Sequence, residues 1–175
     1  MLVKKRIEII TEWIRNYCDE NNKSSLIIGI SGGIDSAVTS TLCARTGLDV
    51  VPVSMPILQH KKLQNRSLAH IYWLKNKFSN IKYTTTDLSG VFSEFKKTLA
   101  DFPSEHGLAN SQARLRMTTL YQIAAFYDGL VVGTGNKVED FGIGFYTKYG
   151  DGGVDISPIA DCFKTDVWEM GKKLE

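Results

Sequence analysis

The chain has 175 residues, of which 43% are hydrophobic, and it carries a formal net charge of +2. This length suits one α/β domain with a buried core, and the composition excludes the disordered class. The small, evenly spread charge gives no electrostatic basis for nucleic-acid binding, and no stretch is apolar enough to span a bilayer. Because the N-terminus also lacks the apolar core of a signal peptide, we expect a cytoplasmic protein.

The cysteines and histidines lack the spacing of metal ligands. The cysteines are odd in number, so we expect buried, unpaired thiols in a reducing compartment. The histidines are unclustered, and we assign none of them a metal. These residues are Cys18, Cys43, Cys162, His60, His70 and His106.

The first third of the chain alternates helical and strand patterns. Apolar residues at helical spacing predict a helix over residues 4–17, and a buried strand over 26–30 follows. A crossover helix is expected over 35–45, where Gly47 ends it in the C′ position. The second strand is expected over 49–55.

The pattern continues beyond this point, with helices and strands still alternating. Helices are predicted over residues 61–78, 88–99, 111–127 and 163–175, strands over 81–86 and 130–132, and a loop with Pro103 and Gly107 over 100–110. Strands that alternate with helices of this length indicate crossover units and a parallel sheet. In such sheets ligands gather at the carboxyl ends of the strands, where the polar segments 31–36, 54–59 and 133–139 are expected.

The most informative segment is the apolar run from Leu26 to Ile30 followed by Ser-Gly-Gly-Ile-Asp-Ser, residues 31–36. A strand that ends in this turn and leads into a helix exposes several backbone N–H groups at a point of partial positive charge. The turn lacks the Gly-Lys-Ser/Thr ending of a Walker loop and the three-glycine spacing of a dinucleotide fingerprint. We therefore interpret it as a pyrophosphate cradle.

This turn resembles the signature of the N-type ATP pyrophosphatases, which cleave ATP to AMP and pyrophosphate. The resemblance implies a Rossmann-like adenine nucleotide α-hydrolase fold, with a parallel sheet flanked by helices. It assigns ATP binding to Gly29, Ile30, Ser31, Gly32, Gly33, Ile34, Asp35 and Ser36. The structural alternative for Asp35 is a role in capping the helix that follows.

Later segments resemble one family within this group, the NAD synthetases. The matching strings are Asn110–Met117 (NSQARLRM), 133–139 (GTGNKVE), 145–155 (FYTKYGDGGVD) and 156–160 (ISPIA), with Lys164 after them. The resemblance covers roughly residues 5–175. It implies that deamido-NAD, nicotinic acid adenine dinucleotide, is condensed with ammonia to give NAD, with ATP and Mg²⁺ and with release of AMP and pyrophosphate.

The same resemblance implies roles for individual side chains. Asp35 and Glu139 would coordinate Mg²⁺, and Thr134 and Lys164 would approach the nucleotide. Met55 would hold adenine, Arg114, Lys148 and Asp155 would contact deamido-NAD, and Asp151 would act on a mobile Gly-rich loop. We expect Asp35, Lys148 and Asp151 to be the catalytic residues.

Several of these roles have alternatives. Asp140 competes with Glu139, because the stretch from Glu139 to Lys148 is one residue longer than the usual family spacing. Arg114 and Arg116 are both compatible with substrate contact or with solvated helix charge. Asp151 also fits ordinary turn chemistry, and Met55 fits the core.

The whole chain is expected to be one NAD synthetase domain that lacks its C-terminal part, because family members continue beyond its last helix. We expect no amidase domain ahead of it, so free ammonia is the expected nitrogen donor. The family forms homodimers through the helix at 111–127, which implies a partner subunit. The alternatives are another N-type ATP pyrophosphatase with a different acceptor, and an inactive nucleotide-binding fragment.

Overall fold

A computed structural model describes residues 2–58 and 61–175, with no side-chain description for residues 61–63. Four parallel strands form one sheet: β1 (Ser25–Gly29), β2 (Asp49–Ser54), β3 (Thr84–Thr85) and β4 (Gly129–Val132). Their order is β3-β2-β1-β4. The predicted α/β class with a parallel sheet is confirmed.

The helices follow the predicted order. They are α1 (Val3–Glu20), α2 (Ile34–Arg45), α3 (Lys61–Lys77), α4 (Ser89–Thr98), α5 (Glu105–Tyr127) and α6 (Lys164–Leu174), and a single wide turn of π-helix lies at Val138–Ile143. Gly47 follows the end of α2 with a φ of +80°, as its predicted C′ position requires. Gln59, the last residue of the predicted polar segment 54–59, and His60, one of the unclustered histidines, lie outside the described residues.

Alternation along the strands divides the core into two layers. Leu26 and Ile28 of β1 pack on one face of the sheet, whereas Ile27 between them packs on the other. Side chains of α1, α2, α3 and α6 complete the first layer, and those of α4 and α5 complete the second. A strand buried on both faces reads as a continuous apolar run, which is the pattern found in β1.

Two predicted boundaries are wrong. Residues 105–110, predicted as loop, form the first turns of α5, because the Ser104 hydroxyl accepts a hydrogen bond from the Gly107 N–H at 3.0 Å and caps the helix. The third strand is much shorter than the predicted 81–86. Ile81 forms only an isolated bridge with Val50, and regular pairing with β2 is confined to Thr84 and Thr85.

Strand order fixes where a ligand can bind. The connection from β1 leads to β2 on one side, and β4 pairs with β1 on the other, so the chain reverses direction across the sheet between β1 and β4. Ligands of open α/β sheets bind at the carboxyl ends of strands at such a point. The turns after β1 and β4 are the two segments that meet there.

The cysteines are unpaired and buried as predicted, because Cys18, Cys43 and Cys162 are all free and buried. Burial raises the pKa of the Cys18 thiol to about 11 and raises that of Cys43 further. Both thiols are therefore protonated and unreactive at neutral pH. Within the described residues, no helix combines the length and the apolar character that crossing a membrane requires.

Candidate active site

The turn that leaves β1 is closed by its own serine hydroxyls. Ser31 Oγ lies 3.1 Å from Ser36 Oγ and accepts a hydrogen bond from the Gly33 N–H at 3.2 Å. Ser36 Oγ donates to the Gly33 carbonyl at 3.0 Å. Gly32 has a φ of +85°, a backbone conformation that favours glycine. These contacts form a compact loop directly in front of a helix.

That helix, α2, begins at Ile34 with Gly33 as its N-cap residue. The first N–H groups of a helix have no partner within it, so this end carries partial positive charge. The corner between β1 and α2 can therefore receive an anion at the carboxyl end of the sheet. The predicted ATP-binding residues from Gly29 to Ser36 form this corner, and their contact with ATP stays a prediction.

Three charged side chains meet beside the loop. Lys164 Nζ lies 2.5 Å from Asp35 Oδ2 and 3.0 Å from Glu139 Oε1. The ammonium group therefore bridges two carboxylates from distant parts of the sequence. We call Asp35, Glu139 and Lys164 the ionic triad. The structure thus brings together the two residues predicted to bind Mg²⁺ and one predicted to approach the nucleotide.

Each member of the ionic triad stands in the first turn of a helical segment: Asp35 in α2, Glu139 in the π-helical turn and Lys164 in α6. The macrodipole favours carboxylates at such positions but disfavours a lysine. Burial lowers the pKa of Lys164, but its hydrogen bonds and charge interactions with the two carboxylates outweigh burial, and the net pKa is raised. Lys164 is therefore a stable ammonium in this arrangement.

Asp140, the alternative to Glu139, has a different contact. Its carboxylate packs against the Gly135 backbone, so closely that a Cβ at residue 135 would displace it. Burial, together with the charges of Asp151, Glu139 and Asp35, raises the pKa of Asp140. Of the two neighbouring acids, Glu139 is the one that shares Lys164 with Asp35.

A cavity of about 590 Å³ opens at the carboxyl ends of β1 and β4, alongside α5. Among the predicted site residues, its lining includes Gly29, Ile30, Ser31, Met55, Thr134 and Asp151. Arg116 also lines it and donates through Nε to the Met55 carbonyl at 3.1 Å. The cavity is mostly apolar with a few polar groups at its edge, and its volume suits a nucleoside-sized ligand.

The Gly-rich loop, residues 144–154, covers one side of this cavity. The Thr147 N–H donates to Asp151 Oδ1 at 2.9 Å, and the Thr147 hydroxyl donates to Asn110 Oδ1 at 2.8 Å. Arg114 Nε donates to the Lys148 carbonyl at 3.1 Å. In this state Asp151 both closes a turn and lines the cavity, so its turn role is observed and its catalytic role stays a prediction.

The side chains predicted to bind deamido-NAD lie outside the cavity. Arg114 and Lys148 are exposed, and Lys148 Nζ lies 5.0 Å from the centre of the Tyr149 ring. Asp155 accepts hydrogen bonds from the Tyr121 hydroxyl at 3.0 Å and from the Val131 N–H at 2.7 Å. Burial, and then the contact with Asp155, raise the pKa of Tyr121 to about 12.

These groups share one side of α5. Arg114 and Tyr121 are seven residues apart, which places them on the same helical face two turns from each other. Arg114 contacts the middle of the Gly-rich loop at Lys148, and Tyr121 contacts Asp155 directly after the loop. The three predicted residues therefore border an exposed strip along α5.

One residue at the centre of the site had no predicted role. Asn136 has no exposed surface, and its amide contacts Asp35 as well as the backbone of the turn that carries Glu139. In the sequence, Asn136 is one residue of the family-like string at 133–139, with no separate signal of its own. The available signal was a polar residue four positions after a buried strand. Periodicity reports local structure only, so it does not reveal a contact with a residue as distant in the chain as Asp35.

The donor set fits a hard divalent cation. Asp35 and Glu139 supply carboxylate oxygens on either side of one cationic group, and the N–H-rich loop next to them is suited to phosphate, whose oxygens complete such a coordination sphere. The protein itself offers few ligands for such an ion. The described residues contain no group of three or more His, Cys, Asp or Glu side chains placed to hold a metal. This pattern is typical of Mg²⁺ bound through one or two carboxylates and a substrate phosphate.

Comparison with known sequences gives a consistent result. A model of the family described as NAD synthase matches residues 6–175. The NH(3)-dependent NAD(+) synthetase of Methanosarcina acetivorans is 42% identical over 171 residues, which cover 94% of this chain and 64% of that protein. The enzyme of the same name from Carboxydothermus hydrogenoformans is 37% identical, with coverage of 98% and 70%. The chain thus spans about two thirds of the length of these relatives.

Solved structures agree in fold. The NMN synthetase of Francisella tularensis superposes with a TM-score of 0.92 at 32% identity, and the alignment covers 99% of this chain and 71% of that one. The NH3-dependent NAD synthetase of Campylobacter jejuni, in complex with the nitrate ion, gives a TM-score of 0.89 at 30% identity, with coverage of 99% and 74%.

Proposed function

The chain belongs to the NAD synthase family, and on that premise we propose that it amidates deamido-NAD with ammonia, using ATP and releasing AMP and pyrophosphate. The observation that carries the proposal is the ionic triad: two carboxylates and an ammonium converge beside an anion-binding turn and a nucleoside-sized cavity. This combination suits a reaction in which ATP loses pyrophosphate. The relatives named above are NH(3)-dependent NAD(+) synthetases, which supports the choice of substrates.

The proposed chemistry has two steps. A carboxylate oxygen of the nicotinate ring attacks the α-phosphorus of ATP, the bond from that phosphorus to the bridging oxygen breaks, and pyrophosphate leaves. Ammonia then attacks the carbonyl carbon of the adenylate, the carbon–oxygen bond to AMP breaks, and a proton is lost as the amide forms. Activation is needed because a free carboxylate is a poor electrophile.

The residues divide this work between two regions. The Ser31–Ser36 turn and the N-terminus of α2 would bind the leaving pyrophosphate, since both present backbone N–H donors. Lys164 would add positive charge at the same place, and the cavity beside Met55 and Thr134 would take the adenosine. The Gly-rich loop would shield the adenylate from water.

Mg²⁺ would be held by Asp35 and Glu139 in this proposal. When bound, it would neutralise charge on the phosphates of ATP. The choice of Glu139 over Asp140 is supported by the contact of Glu139 with Lys164 and by the packing of Asp140 on Gly135. The catalytic contribution of this chain's own residues is to keep the two carboxylates at one point next to the pyrophosphate turn.

Deamido-NAD would lie along the exposed strip of α5 bordered by Arg114, Lys148 and Asp155. An elongated dinucleotide needs a longer surface than the cavity alone, and these residues border such a surface. We further propose that a second copy of the chain packs on α5 to complete this site. Exposed Phe126 on the same helix supports an interface.

The three buried free thiols support a reducing, cytoplasmic location.

A second candidate changes the acceptor and keeps the chemistry. The high TM-score with an NMN synthetase favours considering the mononucleotide, which carries the same nicotinate carboxylate but no second nucleoside. A mononucleotide would need less of the α5 strip. The two acceptors therefore make different demands on Arg114, Lys148 and Asp155.

The test is a reaction of the chain with ATP, MgCl₂ and ammonium, supplied with deamido-NAD or with nicotinic acid mononucleotide. We expect NAD and pyrophosphate in equal amounts from deamido-NAD, and no product when glutamine replaces ammonium. Product from the mononucleotide alone would establish the second candidate. Bound ATP with neither product would favour the inactive nucleotide-binding fragment, and pyrophosphate without either amide would favour a different acceptor.

A further inference from the structure

Asn136 lies at the point where the turn after β4 meets the N-terminus of α2. Its side chain is completely buried, unlike the three partly exposed side chains of the ionic triad. A fully buried amide has to satisfy its donor and acceptor groups within the protein, because each one left unpaired costs about 1–3 kcal/mol. The partners of Asn136 therefore show what its position is built to hold.

The two ends of the amide have different partners. Asn136 Nδ2 donates to Asp35 Oδ1 at 3.0 Å. Asn136 Oδ1 accepts from the backbone N–H groups of Val138 at 3.1 Å and Glu139 at 3.2 Å. One side chain thus contacts the first carboxylate of the triad directly and the backbone that carries the second.

The contact with Asp35 involves one of its two carboxylate oxygens. Asp35 Oδ1 is occupied by the amide, while Oδ2 faces Lys164. The amide is a neutral donor, so it stabilises the charged carboxylate without placing a second positive charge beside it. The Asn136 contact therefore fixes the plane of the Asp35 carboxylate. Its hydrogen bonds to the π-helical turn fix the backbone from which the Glu139 side chain extends.

We infer that Asn136 is a positioning residue for the pair Asp35 and Glu139, setting the separation and orientation of the two carboxylates that hold the divalent cation. This inference rests on the proposed function, since it assumes that the pair binds a cation together with ATP. Residues that orient metal ligands through hydrogen bonds commonly change metal affinity by about 10–100-fold when they are removed.

Two substitutions separate positioning from helix capping. Asn136→Ser keeps a short hydroxyl that can accept from the N–H groups of residues 138 and 139, because serine is a good cap, but it has no group that reaches Asp35. Asn136→Ala removes both contacts. A purely structural role predicts that the serine variant behaves as the unchanged protein and that only the alanine variant is impaired.

Asn80 provides a matched control. Its Nδ2 donates to the carbonyls of Ala44, at 3.0 Å, and Leu48, at 2.6 Å. Asn80 therefore also connects two segments, but at the amino-terminal ends of the strands, away from the site. Asn80→Ala should lower stability without affecting cation binding. It therefore reports the effect of losing a bridging amide away from the site.

The experiment measures ATP binding by calorimetry, with EDTA and across a Mg²⁺ titration, alongside urea unfolding of each variant. We expect Asn136→Ser and Asn136→Ala to require about 10–100-fold more Mg²⁺ to promote ATP binding, with ATP affinity in EDTA unchanged and Asn80→Ala unaffected. If Asn136→Ala does not fold, Asn136→Ser decides the question alone.

A normal Mg²⁺ requirement in folded Asn136→Ser would overturn the positioning role while leaving the proposed function in place. Failure of the unchanged protein to bind ATP with Mg²⁺ would instead overturn the proposed function, and the role of Asn136 would fall with it.

Discussion

Lys164 Nζ and Asp35 Oδ2 lie 2.5 Å apart although 129 positions separate the two residues in the chain. The contact joins the first turn of α6 to the first turn of α2, two helices that pack together on the same face of the sheet. It places a positive charge where two carboxylates would otherwise repel each other. Because Lys164 Nζ also lies 3.0 Å from Glu139 Oε1, both carboxylates lie next to one cationic group.

Asp35 gives the first prediction. Both Asp35→Ala and Asp35→Asn should abolish release of pyrophosphate, because each removes a carboxylate from the proposed cation site. The two variants should differ in stability. Alanine leaves the buried Asn136 amide without its acceptor, which costs about 1–3 kcal/mol, whereas asparagine keeps an oxygen there. Urea unfolding and a pyrophosphate assay measure the two effects, and pyrophosphate release by either variant would remove Asp35 from the cation site.

Glu139 and Asp140 are neighbours, so the same substitution at each one is a controlled comparison. Glu139→Ala should weaken Mg²⁺-dependent ATP binding by about tenfold or more, because it removes one of the two proposed carboxylate ligands. Asp140→Ala should change it by less than about threefold, since that carboxylate packs on the Gly135 backbone. Calorimetric titration of ATP at several Mg²⁺ concentrations distinguishes them. The reverse order of effects would assign the cation to Asp140.

Arg114 and Arg116 lie close together on α5 but face different surroundings. Arg116 lines the cavity, so Arg116→Ala should raise the KM for ATP. Arg114 is exposed next to Lys148, so Arg114→Ala should raise the KM for deamido-NAD and leave that for ATP unchanged. Losing one charged hydrogen bond corresponds to about tenfold in either case. Steady-state kinetics with each substrate varied in turn tests the assignment, and an equal effect of both variants on one substrate would contradict it.

His70 provides a test of stability against pH that does not involve the site. Burial lowers the pKa of His70 from 6.5 to about 4, and its Nε2 lies 2.9 Å from Ser40 Oγ. Between these values the unfolded chain binds a proton that the folded chain does not, so stability should fall as pH decreases from 6.5 towards 4. The slope from one such group is at most about 1.4 kcal/mol per pH unit.

His70→Gln keeps a polar group near Ser40 but does not titrate in this range. We expect its free energy of unfolding, measured in urea at pH 7 and pH 5, to decrease less on acidification than that of the unchanged protein. Parallel pH dependence in the two proteins would show that other groups cause the loss.

The sequence patterns predicted the strands of the inner sheet well because these strands are buried on both faces. The continuous apolar run of β1 and the glycine at the end of α2 have local causes, and local patterns are what a sequence displays directly. The start of α5 was missed because Pro103 and Gly107 are common in loops. Ser104 overrode that preference by capping the helix.

The site was predictable only in part. Asp35, Glu139 and Lys164 were chosen through the family resemblance, but their mutual contacts depend on how α2, the π-helical turn and α6 pack. Lys164 breaks a local preference by placing a positive charge at a helix N-terminus, and such exceptions are expected at functional sites. Asn136 carries no comparable signal, because the partner that explains it is 101 positions away.

The dispersal of the ionic triad also bears on how the protein is made. Its first carboxylate is near the N-terminus, and its ammonium is in α6, which packs on both α1 and α2. A ribosome-bound chain that ends before α6 contains the residues of the pyrophosphate turn but lacks Lys164. Because contacts between such distant positions form late, we expect tight nucleotide binding to follow the synthesis and packing of α6. A nascent chain that ends before α6 would then bind ATP weakly.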